Sequence, residues 1–502
     1  MNGSADSAEP FSFVRGTERP IHNGATMTAP STSSGVRALT SLPGPRPLPL
    51  LGNMLKLAPP TIHLQLEEWA RTYGEAYCCY FGSRPVLVVS NPEVVRKVLQ
   101  DRPDTFRRTQ NLAKATESVK MNGVFTAEGK DWVRQRKLLN QGLSSHNLET
   151  FFPNLVTITQ RLAGVLERVG GQGAPVDILS VFMRYTVDVT SIVSFGMDLN
   201  TLENGSHPLQ RYLEQFQPAL LQRMLAPFPY WKLLPSARRM DHAVAETHKA
   251  IQALVDDARR TLEADPERAA NPRNMLEAML VARDDEGGGA RFTDHEIIAN
   301  VLTLLVGGED TTANILSWIL YYMAMKPEVQ ARARKEVDAV VGPELVPTLA
   351  QLRQLPYLSG VAQEALRLRS TVPVNFQEAA VDTVVAGVAV PKGTMVVLCA
   401  RLPVLDDAHF GDAKSFRPER WLPDPPADTL PHSPKQMSPF GAGGRVCPGR
   451  NLAMIECAIA PCAVLRRFEV EVVDPNAEIK EINAFSVGPV GIRLRFKPRA
   501  SN

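Results

Sequence analysis

The strongest constraint on this chain is the run TDHEIIANVLTLLVGGEDTTANILSWILYYMAMKP, from Thr293 to Pro327, which has no proline before its last residue. Thr293 followed three positions later by Glu296 is a capping box that starts a helix, and Lys326-Pro327 ends it. At about 1.5 Å per residue, a helix this long reaches on the order of 45 Å and crosses a whole domain. Everything else must pack around it. Its middle carries Gly307 and Gly308, each costing roughly 1 kcal/mol against alanine in a helix interior.

The rest of the chain fits such a centre. A length of 502 residues suggests two or more cores, but there is no internal repeat and no second composition regime. We expect a mainly α protein with small β-sheets, one large domain over 41–500. Residues 1–40, rich in Ser, Thr, Gly and Ala, read as a disordered leader. An extended Pro/Gly strap runs over 41–53, and an amphipathic helix is expected near 61–73. EAYCCYFGSRPVLVVSN reads as a hairpin about a Gly-Ser turn. Helical spacing then dominates 92–340, with breaks near 107–130 and 223–236. Strand patterns return over 379–400 and in the terminal GIRLRFKPR.

Lys+Arg (55) and Asp+Glu (53) nearly balance, which gives no field for nucleic acid. Six cysteines without a CxxC pair make neither a disulfide framework nor a zinc site, so a reducing cytoplasm is the expected setting. No stretch approaches 18 uninterrupted apolar residues, so no membrane anchor is expected.

Chemistry concentrates in Phe440-Gly441-Ala442-Gly443-Gly444-Arg445-Val446-Cys447-Pro448-Gly449, a glycine-rich loop running into a helix. A thiolate is a good iron ligand, and loop N–H groups with a helix amino end would stabilise its charge. Glycines let the backbone turn toward the sulfur, and Gly449 lets the helix approach a flat cofactor. The competing reading is a buried structural cysteine. Gly307-Gly308 could leave room for a flat ring and its small ligands, and the acid-alcohol pair Asp310-Thr311 suits proton delivery. Alternatively, Thr311 and Thr312 simply bond back to the preceding turn. Glu364 and Arg367 share a helix face, with Phe416-Arg417-Pro418-Glu419-Arg420-Trp421 some fifty residues on. Trp132 and Arg136 also share a face.

Together these motifs resemble the cytochrome P-450 family: the cysteine window matches its haem signature, Phe-x-x-Gly-x-Arg-x-Cys-x-Gly, at every specified position. The resemblance spans roughly 41–498 and suggests a soluble bacterial-type member, a helical prism around buried haem b. It implies Cys447 as the iron ligand, with Phe440, Gly441 and Gly449 shaping the cofactor loop. Trp132, Arg136 and Arg445 would meet the haem propionates. Thr311 would contact oxygen and Asp310 relay protons, while Glu364, Arg367 and Arg420 would form a structural triad. Two positions depart from the family pattern. Asn375-Phe376-Gln377-Glu378 stands where an Arg is frequent, and Leu405 replaces a basic residue before Asp406, leaving Arg401 as a candidate substitute.

The implied activity is insertion of one oxygen atom from O2 into a lipophilic small molecule such as a fatty acid, terpenoid or polyketide. A separate ferredoxin or flavodoxin/reductase would supply electrons, docking near Arg134, Lys137 and Arg450. Substrate contacts are expected from 107–127, Phe216 to Phe228, Leu305, 372–376 and Phe485. Two rivals remain: a peroxide-driven peroxygenase, against which Asp310-Thr311 argues, and a non-catalytic haem ligand-binding or sensor protein. Met27 opens a cleaner stretch and is the expected natural start; intact-mass measurement of the native protein should show residues 1–26 missing.

Overall fold

The computed structural model describes residues 35–213, 216–225, 235–284 and 288–499. Order begins before residue 41, which corrects the leader boundary. Strand β1 (Arg37–Ala38) pairs in parallel with Val388–Ala389, and Leu39 is buried behind it. The rest of the expected leader, Met27 included, lies outside the described residues.

The strap that follows is extended because it lies on a strand. Cys78 N donates to Pro43 O at 2.9 Å, and a side chain at Gly44 would collide with Cys78 O. Helix α1 (Ile62–Tyr73) leads into β2 (Ala76–Phe81) and β3 (Arg84–Val89), a hairpin in which Cys78 faces Leu87. Helix α2 (Pro92–Gln100) is capped by Asn91, whose Oδ1 accepts from Glu93 N and Val94 N. The break expected near 107–130 contains β4 (Phe106–Arg108) and α3 (Gln110–Glu117), and α4 (Gly129–Gly142) closes it. The second expected break falls largely on 226–234, outside the described residues.

Helices α5 (Ser145–Val169) and α6 (Ile178–Phe195) follow, with β5 (Val176–Asp177) between them. By length and composition α6 could cross a membrane, but 72% of it is buried inside the protein. Mostly buried, with polar side chains such as Thr186 and Ser191 bonded to its own carbonyls, it is an interior helix packed on the central one. After α7 (Phe216–Leu225) and α8 (Pro235–Ala264) comes that central helix, α9 (Asp294–Met325). Its capping box forms as expected: Glu296 N donates to Thr293 Oγ1, and the Glu296 carboxylate accepts from Thr293 N at 2.9 Å.

Helix α10 (Pro327–Val341) starts on Pro327, and α11 (Pro356–Leu368) lies across α9. Strands β6 (Val374–Ala379), β7 (Thr383–Val385), β8 (Val388–Val390) and β9 (Met395–Cys399) build the sheets; helix α12 (Arg450–Arg467) and β10 (Phe468–Val472), β11 (Lys480–Asn483), β12 (Val487–Val490) and β13 (Arg493–Pro498) complete the chain. The sheets run β2-β3-β9-β6-β4, β1-β8-β7, β10-β13-β5 and β11-β12. This is a mainly α architecture with small sheets. The core surrounds α9 and α12, the latter buried throughout from Met454 to Leu465.

One buried charge network ties the two sheet regions together. Arg401 donates to Glu67 Oε1 and Oε2 at 2.9 and 3.0 Å, and to Glu481 Oε2 at 2.8 Å; Arg369 Nη1 reaches Glu481 Oε1 at 2.9 Å. Burial alone would push the Glu481 carboxyl up, but His63, Arg401 and Arg369 hold it at about 2. A depressed carboxylate stabilises the fold above its unfolded pKa of roughly 4.3 and loses that contribution as pH falls toward the folded value. Comparing wild type with Glu481→Gln by urea unfolding should therefore show a deficit on the order of 3 kcal/mol at pH 7 that shrinks steadily from about pH 5 down to pH 2.

Candidate haem site

The cysteine loop is shaped by backbone. Cys447 N donates to Phe440 O at 2.8 Å, closing the loop, while Gly441 and Gly443 take φ of +78° and +68°. Gly443 also lies so close to α2 that a Cβ there would come within 2.8 Å of Gln100 Cα. Of the six cysteines only Cys447 is exposed, yet burial pushes its thiol up, opposed by the Gly449 N–H, Arg136 and Arg450. The sulfur is thus reachable by a ligand although protein surrounds it. Gly449 stays clear of it, since a Cβ there would sit 4.0 Å from the sulfur.

On α9 the two glycines differ. A Cβ on Gly307 would meet nothing within 4 Å, whereas one on Gly308 would sit 2.8 Å from Thr190 Oγ1. Gly307 therefore faces open space, and Gly308 lets α6 pack. The Thr311 hydroxyl donates to Gly307 O at 2.8 Å, the bond back to the preceding turn that was one of the two readings. Asp310 is buried.

Four positively charged side chains and one carboxylate gather beside the cysteine loop. The Arg445 guanidinium lies 4.5 Å over the Trp132 ring and donates to Ala127 O at 2.6 Å and to the Glu128 carboxylate. Its Nε and Nη1, and Nε and Nη2 of Arg102, are buried without a hydrogen-bond partner. Burial, then the charge of Arg445, draws the Arg102 pKa down to about 10 against the pull of Glu128. Arg108 is lowered by burial and then by Arg102 and Arg445. Arg136 is lowered by burial and offset by Cys447, so it stands toward the sulfur. Arg102, Arg108 and Glu128 escaped the sequence reading, because isolated charged residues between longer elements carry no periodic signal.

The Glu364–Arg367–Arg420 cluster is assembled and fully buried. Arg367 makes a two-pronged bond to Glu364 at 2.7 and 2.9 Å and also donates to Val404 O and Ala413 O, both at 2.6 Å. Arg420 Nε reaches Glu364 Oε1 at 3.3 Å, and Trp421 Nε1 reaches Oε2 at 2.9 Å.

Other expectations need correction. Arg401 is held between Glu67 and Glu481, so it does not substitute for the missing basic residue; Leu405 is partly buried against the core. Glu378 accepts from Arg107 Nη2 at 2.6 Å and from Gln110 N at 3.2 Å, pinning α3, while buried Gln377 bonds Asn375. Within the expected docking patch, Arg134 pairs with Glu296 and Lys137 with Asp284, on a surface groove of about 560 Å³ that also includes Lys130 and Val133. Of the expected substrate segments, α7 packs on α3, Leu305 is buried, and Phe485 meets Phe125 with ring centroids 5.9 Å apart. Residues 226–228 lie outside the described residues.

An accessible thiol presented by a glycine-rich loop, with buried arginines beside it, is the arrangement of a haem-thiolate protein. A family model described as cytochrome P450 matches residues 42–496, and the chain belongs to that family. It is 29% identical over 494 residues to the bifunctional cytochrome P450/NADPH–P450 reductase of Gibberella moniliformis, an alignment covering 95% of this chain but 43% of that longer protein. It is 28% identical over 436 residues to human cytochrome P450 3A5, covering 85% of each. The Arabidopsis thaliana protein LUTEIN DEFICIENT 5, chloroplastic, is 24% identical over 449 residues, covering 87% of this chain and 74% of that one. Members bind haem b and act as monooxygenases, using O2 and electrons from a redox partner.

The residues present fit that cofactor. Arg102, Arg108, Arg136 and Arg445 against the single carboxylate of Glu128 leave a surplus of positive charge, and haem b carries two carboxylates. Buried guanidiniums without partners are costly, and charge-assisted bonds to carboxylates would satisfy them. Removing Arg367 would strand Glu364 and typically cost about 3 to 5 kcal/mol. Arg367→Ala should therefore accumulate without haem, read as loss of the Soret band per mole of protein; full cofactor occupancy would refute a structural role for the cluster.

Proposed function

We propose that the chain inserts one atom of O2 into a lipophilic small molecule of the fatty acid, terpenoid or polyketide kind. Cys447 supplies the iron ligand, and Phe440, Gly441 and Gly449 shape the loop that presents it. Trp132, Arg136 and Arg445, joined by Arg102 and Arg108, hold the cofactor's carboxylates. Bound haem b supplies the iron centre that binds and activates oxygen.

Thr311 and Asp310 carry the proton work. The Thr311 hydroxyl lies on the Gly307 side of α9, where side chains leave room. Rotation away from the Gly307 carbonyl would turn its proton toward a ligand in that space, and Asp310, next in the chain, can restore it. The apolar substrate is held by Phe125 and Phe485, whose side chains exclude water and orient it.

Electrons come from a separate ferredoxin or flavodoxin/reductase. The groove beside α4, with Lys130 and Val133 among its lining residues, is the docking surface this reading favours, and it lies on the helix that carries Trp132 and Arg136. We place the protein in the cytoplasm as a bacterial-type enzyme; six free thiols support a reducing compartment.

The observation that carries this reading is the placement of Thr311 beside the open face of Gly307, because a haem sensor needs no proton source there. With a surrogate reductase, Thr311→Ala should keep its haem spectrum and consume NADPH while releasing mostly hydrogen peroxide, with product falling by roughly tenfold or more. Unchanged coupling would favour a ligand-binding role, and turnover with peroxide alone would favour a peroxygenase.

A further inference from the structure

We propose that Asn314 is a positioning residue that sets the shape of the substrate space beside Thr311 by fixing Phe485. This rests on the reading that haem lies against the Gly307 face of α9. Asn300, Gly307, Thr311 and Asn314 recur at helical spacing, so they form one stripe along α9. The two asparagines stand about 21 Å apart along the axis and bracket the open face between them.

Each asparagine holds a different piece of chain. Asn300 Oδ1 accepts from Val124 N at 2.7 Å, and its Nδ2 donates to Gln135 Oε1 and Glu296 O at 3.0 and 2.8 Å. Asn314 Nδ2 donates to Ser486 Oγ at 2.9 Å, at the turn between β11 and β12. The fit there is tight, since a Cβ on Gly488 would fall 2.0 Å from Asn314 Oδ1. Val487 N, bonded to Thr371 O at 2.8 Å, anchors the other side of the turn.

The residues next to these anchor points are Phe125 and Phe485, and their rings meet at 5.9 Å with 59° between planes. Phe125 is gripped further by Arg108, whose guanidinium lies 4.0 Å over the ring and whose Nε donates to Phe125 O at 3.0 Å. The pair is thus an aromatic wall tied at both ends to the helix that carries Thr311. A buried amide on a packing helix is costly unless bonded. Alanine or leucine would fill position 314 more cheaply, but neither could hold Ser486. The side chain that decides what fits is Phe485; Asn314 decides where Phe485 stands.

Two azoles that bind ferric haem iron test this on the holoprotein: imidazole, which needs little room, and 1-phenylimidazole, which must displace the wall. Titration by Soret shift gives both dissociation constants. Asn314→Ala should leave imidazole affinity unchanged and tighten 1-phenylimidazole by about fivefold, the worth of one hydrogen bond. Phe485→Ala should do the same, and the double variant should add nothing further, because both changes remove one restraint. Should Asn314→Ala fail to retain haem, Ser486→Ala breaks the same bond from the side of the turn and decides the matter. An unchanged ratio of the two affinities in these variants overturns the role of Asn314. Absence of any azole shift in the wild type would instead overturn the haem reading.

Discussion

The path of the chain that precedes the cysteine loop depends on the carboxylate of Glu364. With zero exposure it accepts from Arg367, Arg420, the Trp421 indole and the backbone N–H of Arg417. Arg367 in turn holds the carbonyls of Val404, Ala413 and Ser415. One ion pair on α11 therefore fixes the path of the chain from 404 to 421, a stretch with little regular structure of its own. Such irregular chain can be buried only if something accepts and donates for its backbone. Buried ion pairs are weak sources of stability; here the pair's further bonds, to three backbone carbonyls, one backbone N–H, Arg420 and the Trp421 indole, make it a positioning device. The segment so fixed leads straight into the cysteine loop.

How much of this was legible in the residues follows from range. Local chemistry was readable: the capping box at Thr293, the hairpin around Gly82-Ser83, the Glu364–Arg367 face and the turn chemistry before Cys447 all act within a few residues. The mainly α architecture followed from periodicity, and the cysteine window led to the family. What stayed hidden was pairing between distant, aperiodic residues. Arg401 looked available because its partners are remote in sequence: Glu67 and Glu481 come to it from 334 and 80 residues away. Arg102 sits in a turn and Arg108 in a three-residue strand, both too short to show a period that betrays burial. The strand at Arg37–Ala38 is too short to show alternation and exists only because Val388–Ala389 offers an edge.

The glycine pair on α9 shows why one residue type can carry two meanings. Both positions cost helix stability, and both were read as clearance for a flat ring. Gly307 keeps that meaning, but Gly308 faces α6, where Thr190 would strike any side chain. Close approach of α6 holds α9 laterally at the height where its other face is left open. A helix thinned on two sides at one level needs support above and below, and the apolar residues from Ile297 to Val306 and from Ala313 to Met323 are nearly all buried. The opening is thus a local exception in a rigid rod.

That rigidity bears on how substrate could enter. Movement of α9 would disturb α6 and the sheet region behind β12, so it is a poor hinge. The elements facing its open side are held by fewer bonds: α3 by Glu378 on its first turn, and the Phe485 turn by Ser486 and Val487. Breaking one such bond typically costs about 1 kcal/mol, well below the cost of opening the buried core. Access by displacement of α3 or the Phe485 turn, with α9 and the cysteine loop held still, is therefore the least expensive motion this architecture allows. It also leaves the proton-handling face of Thr311 in place while the substrate side reshapes.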